Sequence, residues 1–356
     1  MDNTAAMAAD NIVRIATAAA ETNVMIRVKH LAGAKNVLLN VCSGVISNAS
    51  PVFAALISKA LSDSMQDSER LVMIEDGGDS VYLLMCLIHL RTDLLPAKLA
   101  AEPLAELAQL AVKYQCAAAI SRMTVPWLDR LFHASADGKL VIDTWKTVQT
   151  TYLLNEPLYF RHFTDRLVLD APTHTELKPN FNTTEPIDQQ LRTLATQLQA
   201  RKVAQLAAVR ADLDLLIEPC SAVFSKEVRH FIDYAPGMDP DVDDEGKVSG
   251  TLCHVDEGGA TTYLGALRDE RIWPLTVWQG NLATTLTRLR QFRVPEYDDC
   301  DKCEFCENIK ERFTNVLELV KHMHKERLWG LCLDCFMAGG VNPGECRVEH
   351  PKIVKT

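Results

Sequence analysis

Six of the eleven cysteines crowd between Cys300 and Cys346. Two pairs, Cys303–Cys306 and Cys332–Cys335, have a two-residue gap, and twenty-five residues separate them. That gap lets both thiolates of a pair turn toward one ion, and two pairs complete a tetrahedral four-sulfur site. The expectation is therefore one or two structural zinc ions, held mainly by Cys303, Cys306, Cys332 and Cys335. Cys300 is an equally spaced competitor for Cys303, and Cys346-x3-His350 supplies a further pair. His322 and His324 form another, Cys253 beside His254 can join from a distance, and Cys220 is a weaker candidate. Such crowding in a reducing compartment points to metal rather than disulfides.

The remaining residues offer little chemistry. Cys42, Cys86 and Cys116 sit singly in apolar segments and read as buried, inert thiols without a placed general base. The zinc-deaminase pattern, His-Glu-x-x-His, the P-loop and the dinucleotide glycine pattern do not occur. The expectation is a non-enzymatic chain. Asp239, Asp241, Asp243, Asp244 and Glu245 form an acidic ladder. It fails the calcium-loop pattern: counted from Asp241, Gly246 falls sixth but Leu252 falls twelfth, where a glutamate is needed. A solvated loop accounts for it.

Charge narrows the partners. The chain carries 37 basic and 47 acidic side chains, a net charge of −10, with no segregated basic patch. Such a balance repels phosphate backbones. Between the cysteine pairs, Lys310, Arg312, Lys321 and Lys325 are offset by Glu307, Glu311, Glu318 and Glu326. Nucleic acid is therefore not expected as a partner. No segment reads as transmembrane or as a secretion signal, so the expected location is cytoplasmic or nuclear.

The elements that must position the cysteines follow from periodicity. Hydrophobic residues make up 47% of the chain, enough to bury real cores. Val24 to Val28 alternates like a strand, and Asn36 to Val41 is a second apolar run. Ser43 is placed to cap a short helix, and Ser50-Pro51 to start another. Leu71 to Ile74 reads as a third strand, ended by an acidic turn. Helices follow on Val81, Leu84, Met85 and Ile88, on Leu104, Leu107, Ala108 and Ala111, and on Ala117 to Leu131, the last interrupted by Pro126. Residues 139–170 read as one or two helices, 171–186 as a loop and 187–217 as one long helix. In that helix Leu206, Val209, Leu213 and Leu216 serve intrachain packing better than a coiled coil. Ile309, Phe313, Val316, Leu317 and Val320 give a helix of about sixteen residues between the cysteine pairs, spanning about 24 Å.

Several stretches carry a family resemblance. "VISNASPVFAALI", "RLVMIEDGGDSVYLLMCLIHLR" and "LAELAQLAVKYQCAAAI" resemble the BTB/POZ domain of the large filamentous-fungal family. The matching residues are Ser50-Pro51-Val52-Phe53, Glu75-Asp76, Leu87-Ile88-His89, Leu107-Ala108, Lys113-Tyr114, Cys116 and Trp127-Leu128. "TTYLGALRDERIWPL" and the "GLCLDC…CRVEH" tail are similar to the same family. The family's opening strand is degenerate here, Val24-Met25-Ile26-Arg27, and its next segment is replaced by Cys42-Ser43-Gly44-Val45. Core packing alone accounts for Phe53, Leu56, Leu87 and Tyr114.

The expected architecture is α/β at the start: a BTB/POZ-like α+β unit at 23–132 after a flexible 1–22. A mainly helical region follows at 139–295, with loops at 171–186 and 236–250, and a zinc-binding module at 296–356. The resemblance implies a protein–protein interaction or scaffold protein. Its partners would be other proteins, a second copy or a cullin, the last making it a ubiquitin-ligase substrate adaptor. A transcriptional regulator whose zinc module contacts DNA is the alternative.

Overall fold

Val24, Ile26 and Val28 are fully buried, while Met25 and Arg27 between them stay partly exposed. In the computed structural model this alternation forms β2 (Asn23–Leu31), which pairs antiparallel with β3 (Ala34–Cys42). The register sets Val24 opposite Val41, Ile26 opposite Leu39 and Val28 opposite Val37, so the apolar set of both strands shares one face. β4 (Leu71–Ile74) lies parallel to β2 on its other side, with Ile26 beside Val72 and Val28 beside Ile74. The structure describes residues 12–16, 23–31, 34–63, 71–136, 144–174, 176–177, 186–224, 255–273, 280–296, 304–327, 330–340 and 345–350.

A fourth strand lies in the stretch expected to be a flexible N-terminus. β1 (Ile12–Arg14) runs parallel to β3, giving a mixed sheet of order β1-β3-β2-β4. Three residues are too few to show a period. Contacts fix them instead: Ile15 is fully buried, Ile15 N and Ala16 N donate to the Asn40 carbonyl, and Arg91 donates to the Ile15 carbonyl.

Two helices, α1 (Ser43–Ala49) and α2 (Pro51–Asp63), connect β3 to β4. Ser43 lies inside α1, and Cys42 occupies the cap without a side-chain bond. Ser50 does cap α2, its Oγ accepting from Phe53 N at 3.0 Å. Next come α3 (Gly78–Ile88), α4 (Ala101–Lys113) and α5 (Ala117–Ala136). α3 is buried over most of its circumference rather than along one stripe, which makes it the central helix of the layer. α5 runs through Pro126 without a break. Ile120, Thr124, Trp127 and Leu128 are buried around it, and Trp127 Nε1 donates to the Pro96 carbonyl at 2.9 Å. Burial on both sides of Pro126 outweighs its lost backbone bond.

Residues 144–170 form two helices, α6 (Thr144–Leu153) and α7 (Pro157–Asp170). Asn155 between them adopts φ 57°, a left-handed conformation that asparagine tolerates better than most residues. The chain divides into two compact units: Met1–Thr164 with Leu331–Val348, and Asp165–Gly330 with Glu349–Thr356. The first unit thus reaches past α5 to take in α6, whose Lys146 pairs with Glu102 on α4 at 2.9 Å.

The second unit is helical: α8 (Pro186–Asp214), a short 3-10 turn at Leu215–Ile217, α9 (Glu218–Phe224), α10 (Val255–Asp269), α11 (Leu282–Gln291) and α12 (Glu304–Arg327). Val209, Leu213 and Leu216 face its core, where Tyr263 stacks on Phe313 at 4.2 Å. The α8 stripe therefore serves intrachain packing. The expected loop after Asp170 is pinned by a bridge between Pro172 and Asn281, and by Lys202 Nζ donating to the Pro172 carbonyl. The acidic stretch 236–250 lies outside the described residues. No helix among the described residues is long and apolar enough to cross a membrane.

Candidate metal centre

The C-terminal segment gathers Cys332, Cys335, Cys346 and His350. One ligand atom from each lies within 4.8 Å of all the others, an arrangement that can hold a metal ion. Cys335 Sγ and Cys346 Sγ are 3.7 Å apart. Cys332 is buried, Cys335 and Cys346 are half-buried and His350 is exposed. The donor set is three soft sulfurs and one imidazole, a combination suited to a borderline-soft divalent ion and ill-suited to calcium or magnesium.

Local structure explains the convergence. Cys332 stands at the N-cap of α13 (Leu333–Met337), and Cys335 lies one turn further on the same side. The helix ends at Met337, and Gly339 just beyond its cap, at φ +74°, makes the left-handed turn glycine adopts without strain. The chain then returns, and the side chain of Asp334 receives it: Oδ2 accepts from Arg347 N at 2.8 Å and Oδ1 from Arg347 Nε at 2.9 Å. That clamp sets Cys346 beside Cys335. Three residues separate Cys346 from His350, enough for the imidazole to come round to the same point.

The expected four-thiol set is divided by this geometry. Cys332 and Cys335 are in the cluster. Cys253, Cys300 and Cys303 lie outside the described residues, and Cys306 falls in the first turn of α12, its side chain not described. α12 is longer than the sixteen residues expected. From Cys306 to Arg327 the helix climbs about 32 Å. The five residues from Arg327 to Cys332 reach back at most about 17 Å. One ion shared by Cys306, Cys332 and Cys335 would therefore require α12 to break. Cys346 and His350, given a secondary place by their spacing, are the nearer partners. The signal was present: ten residues containing Gly339, Gly340, Pro343 and Gly344 separate Cys335 from Cys346, a loop that closes at far less cost than one containing a long rigid helix.

The N-terminal motif residues converge on a single contact. Ser50 Oγ, besides capping α2, donates to the Tyr114 carbonyl at 2.5 Å. Phe53 stacks on the Tyr114 ring at 4.4 Å. Tyr114 OH donates to Asp76 at 2.6 Å, and Lys113 Nζ donates to the same carboxylate at 2.5 Å. Those two bonds and the lysine charge outweigh burial and hold the Asp76 carboxyl below its usual range. His89 closes another joint: its Nε2 accepts from Cys42 N at 3.0 Å and its Nδ1 faces the Met85 carbonyl at 2.8 Å. Burial pushes the Cys86 thiol up, and the Cys116 thiol up to about 12, so neither offers a thiolate near neutral pH.

Compared with family models, with curated proteins and with solved structures, the chain matches none.

Proposed function

We propose that the chain is a protein-interaction molecule of the BTB/POZ type, without enzymatic activity, braced by a structural zinc ion on Cys332, Cys335, Cys346 and His350. The observation that carries the interaction half is the order of elements across residues 23–136. A strand hairpin leads to a helix pair, then to a strand parallel to the first, then to helices. The resemblance calls for that order, and the residues that carry it sit at its joints: Ser50 capping α2 and Phe53 on it, Asp76 after β4, His89 after α3, Lys113 and Tyr114 at the end of α4. Its partners on this reading are a second copy or a cullin, the chain then acting as a substrate adaptor in the cytoplasm or nucleus.

Light scattering of the full chain, alone and with purified cullin N-terminal domains, tests this. A stoichiometric protein complex is expected. Fluorescence anisotropy with duplex DNA near physiological salt is the counter-test. A monomer that ignores cullins and binds DNA with salt-sensitive, sub-micromolar affinity would replace this reading with a DNA-contacting regulator.

The zinc half rests on the cluster. A tetrahedron with zinc–sulfur bonds of about 2.3 Å has edges of about 3.8 Å, against 3.7 Å between Cys335 Sγ and Cys346 Sγ. Four protein ligands leave no open position, which suits a structural ion. Elemental analysis of protein purified without added metal checks it. At least one equivalent of zinc is expected. Less than about half an equivalent, with the cysteines reduced, would count against the site.

A further inference from the structure

We infer that the metal centre is a latch: the bound ion fastens residues 331–348 onto α6 and the part of α7 up to Thr164, within one compact unit. This rests on the zinc reading above and goes beyond it, since a metal can fold its own loop without fixing that loop to anything else.

The argument lies in how ligands and gripping residues alternate. Leu331 N, just before the first ligand, donates to Thr164 Oγ1 on α7 at 3.0 Å. Leu333, next to Cys332, is buried. Phe336, next to Cys335, sets its ring 5.7 Å from Tyr152 on α6 and 6.4 Å from Phe160 on α7. Arg347, next to Cys346, donates through Nη2 to Asn155 Oδ1 in the α6–α7 turn at 2.8 Å. Val348, two residues before His350, is buried. Leu331, Phe336 and Arg347, which hold α6–α7, are thus covalent neighbours of Cys332, Cys335 and Cys346.

Among its described residues the segment holds little regular structure. Its one described helix, α13, has five residues, too few to persist alone in water. The Phe336 contact and the Arg347 contact belong to opposite arms of the turn at Gly339. Two links that join those arms are the Arg347–Asp334 clamp and the cysteine–histidine cluster. The ion would join the two arms directly, so that two separate grips act as one. Occupancy of the centre and docking of the segment are then linked equilibria, and each strengthens the other by the same factor.

Reciprocity gives a test that leaves the ligands untouched. In the full chain, Phe336→Ala should weaken zinc binding by about fivefold or more, measured by competition with a chromophoric chelator. Hydrogen exchange is the second measurement. Removing zinc from the wild-type chain should speed exchange in residues 331–348 and in the facing parts of 144–164, leaving β2 and β3 unchanged. Zinc bound at one equivalent, with unchanged affinity in Phe336→Ala and unchanged exchange in 144–164 on zinc removal, overturns the latch and leaves the zinc site standing. No zinc at all overturns both.

Discussion

His89 shows what one residue can do at a joint. Its Nε2 accepts the Cys42 amide and its Nδ1 faces a carbonyl, so the neutral ring with the proton on Nδ1 is the form the fold holds. Burial, with Arg91 adding to it, holds the His89 pKa below its ordinary 6.5. Above 6.5 both folded and unfolded chains carry the ring neutral, and its contribution is complete. As pH falls through 6.5 the unfolded chain binds a proton that the folded chain refuses, and stability drops until the folded pKa is passed. That loss is at most about 1.4 kcal/mol per pH unit from this group. Urea midpoints between pH 7.5 and 5.5 should fall less steeply for His89→Gln than for the wild type; identical slopes would remove His89 from the account. Tyr263 makes the opposite case. Its hydroxyl is buried without a hydrogen-bond partner among the described residues, and burial raises its pKa. Tyr263→Phe should be neutral, or stabilising by about 1 kcal/mol, because it removes a desolvated polar group while keeping the stack on Phe313. A loss above about 2 kcal/mol would mean the hydroxyl does have a partner.

At the scale of elements, the α2–α4 joint and the length of α12 decide most. Phe53 on Tyr114 is the packing heart of the former, so Phe53→Ala should cost about 3–5 kcal/mol by urea denaturation. Tyr114→Phe, which keeps the ring and leaves Asp76 its lysine, should cost about 1 kcal/mol. Similar costs for the two would show that the hydroxyl network, not the stack, carries the joint. The α12 helix separates Cys306 from Cys332 by more than the linking chain can bridge. Replacing Cys303 and Cys306 together by Ser should therefore leave at least one equivalent of zinc on the chain. Loss of all zinc from that variant would mean that α12 breaks and both cysteine pairs serve one ion.

Over the whole molecule, two compact units are each built around their own apolar contacts, and the cysteine–histidine cluster that can hold a metal lies in the C-terminal segment. Calorimetry should resolve more than one transition, as is usual for multidomain chains. Chelation should lower the one that belongs to residues 1–164 and 331–348. A single transition unaffected by chelator would refute both the division and the structural role of the metal. The net charge of −10 acts at this scale too, and opposes tight binding of duplex DNA near physiological salt.

Periodicity and spacing were enough to find β2, β3, β4, the α1–α2 pair, the apolar seam of α8 and the cysteine-rich tail. Each is a local pattern in which burial on one face writes itself into consecutive residues. Cys332-x2-Cys335 was legible for the same reason, since two ligands one helical turn apart need nothing from elsewhere. What stayed hidden depended on partners distant in the chain. β1 is fixed by the Asn40 carbonyl and Arg91, which no three-residue pattern announces. α5 passes through Pro126 because Thr124 and Trp127 are buried around it, and a rule about proline weighs only the backbone. The meeting of Cys346 and His350 with Cys332 and Cys335 turned on the Asp334–Arg347 clamp. Sequence supplies the ligand types and their local spacing; which of them meet is decided by how rigid the chain between them is.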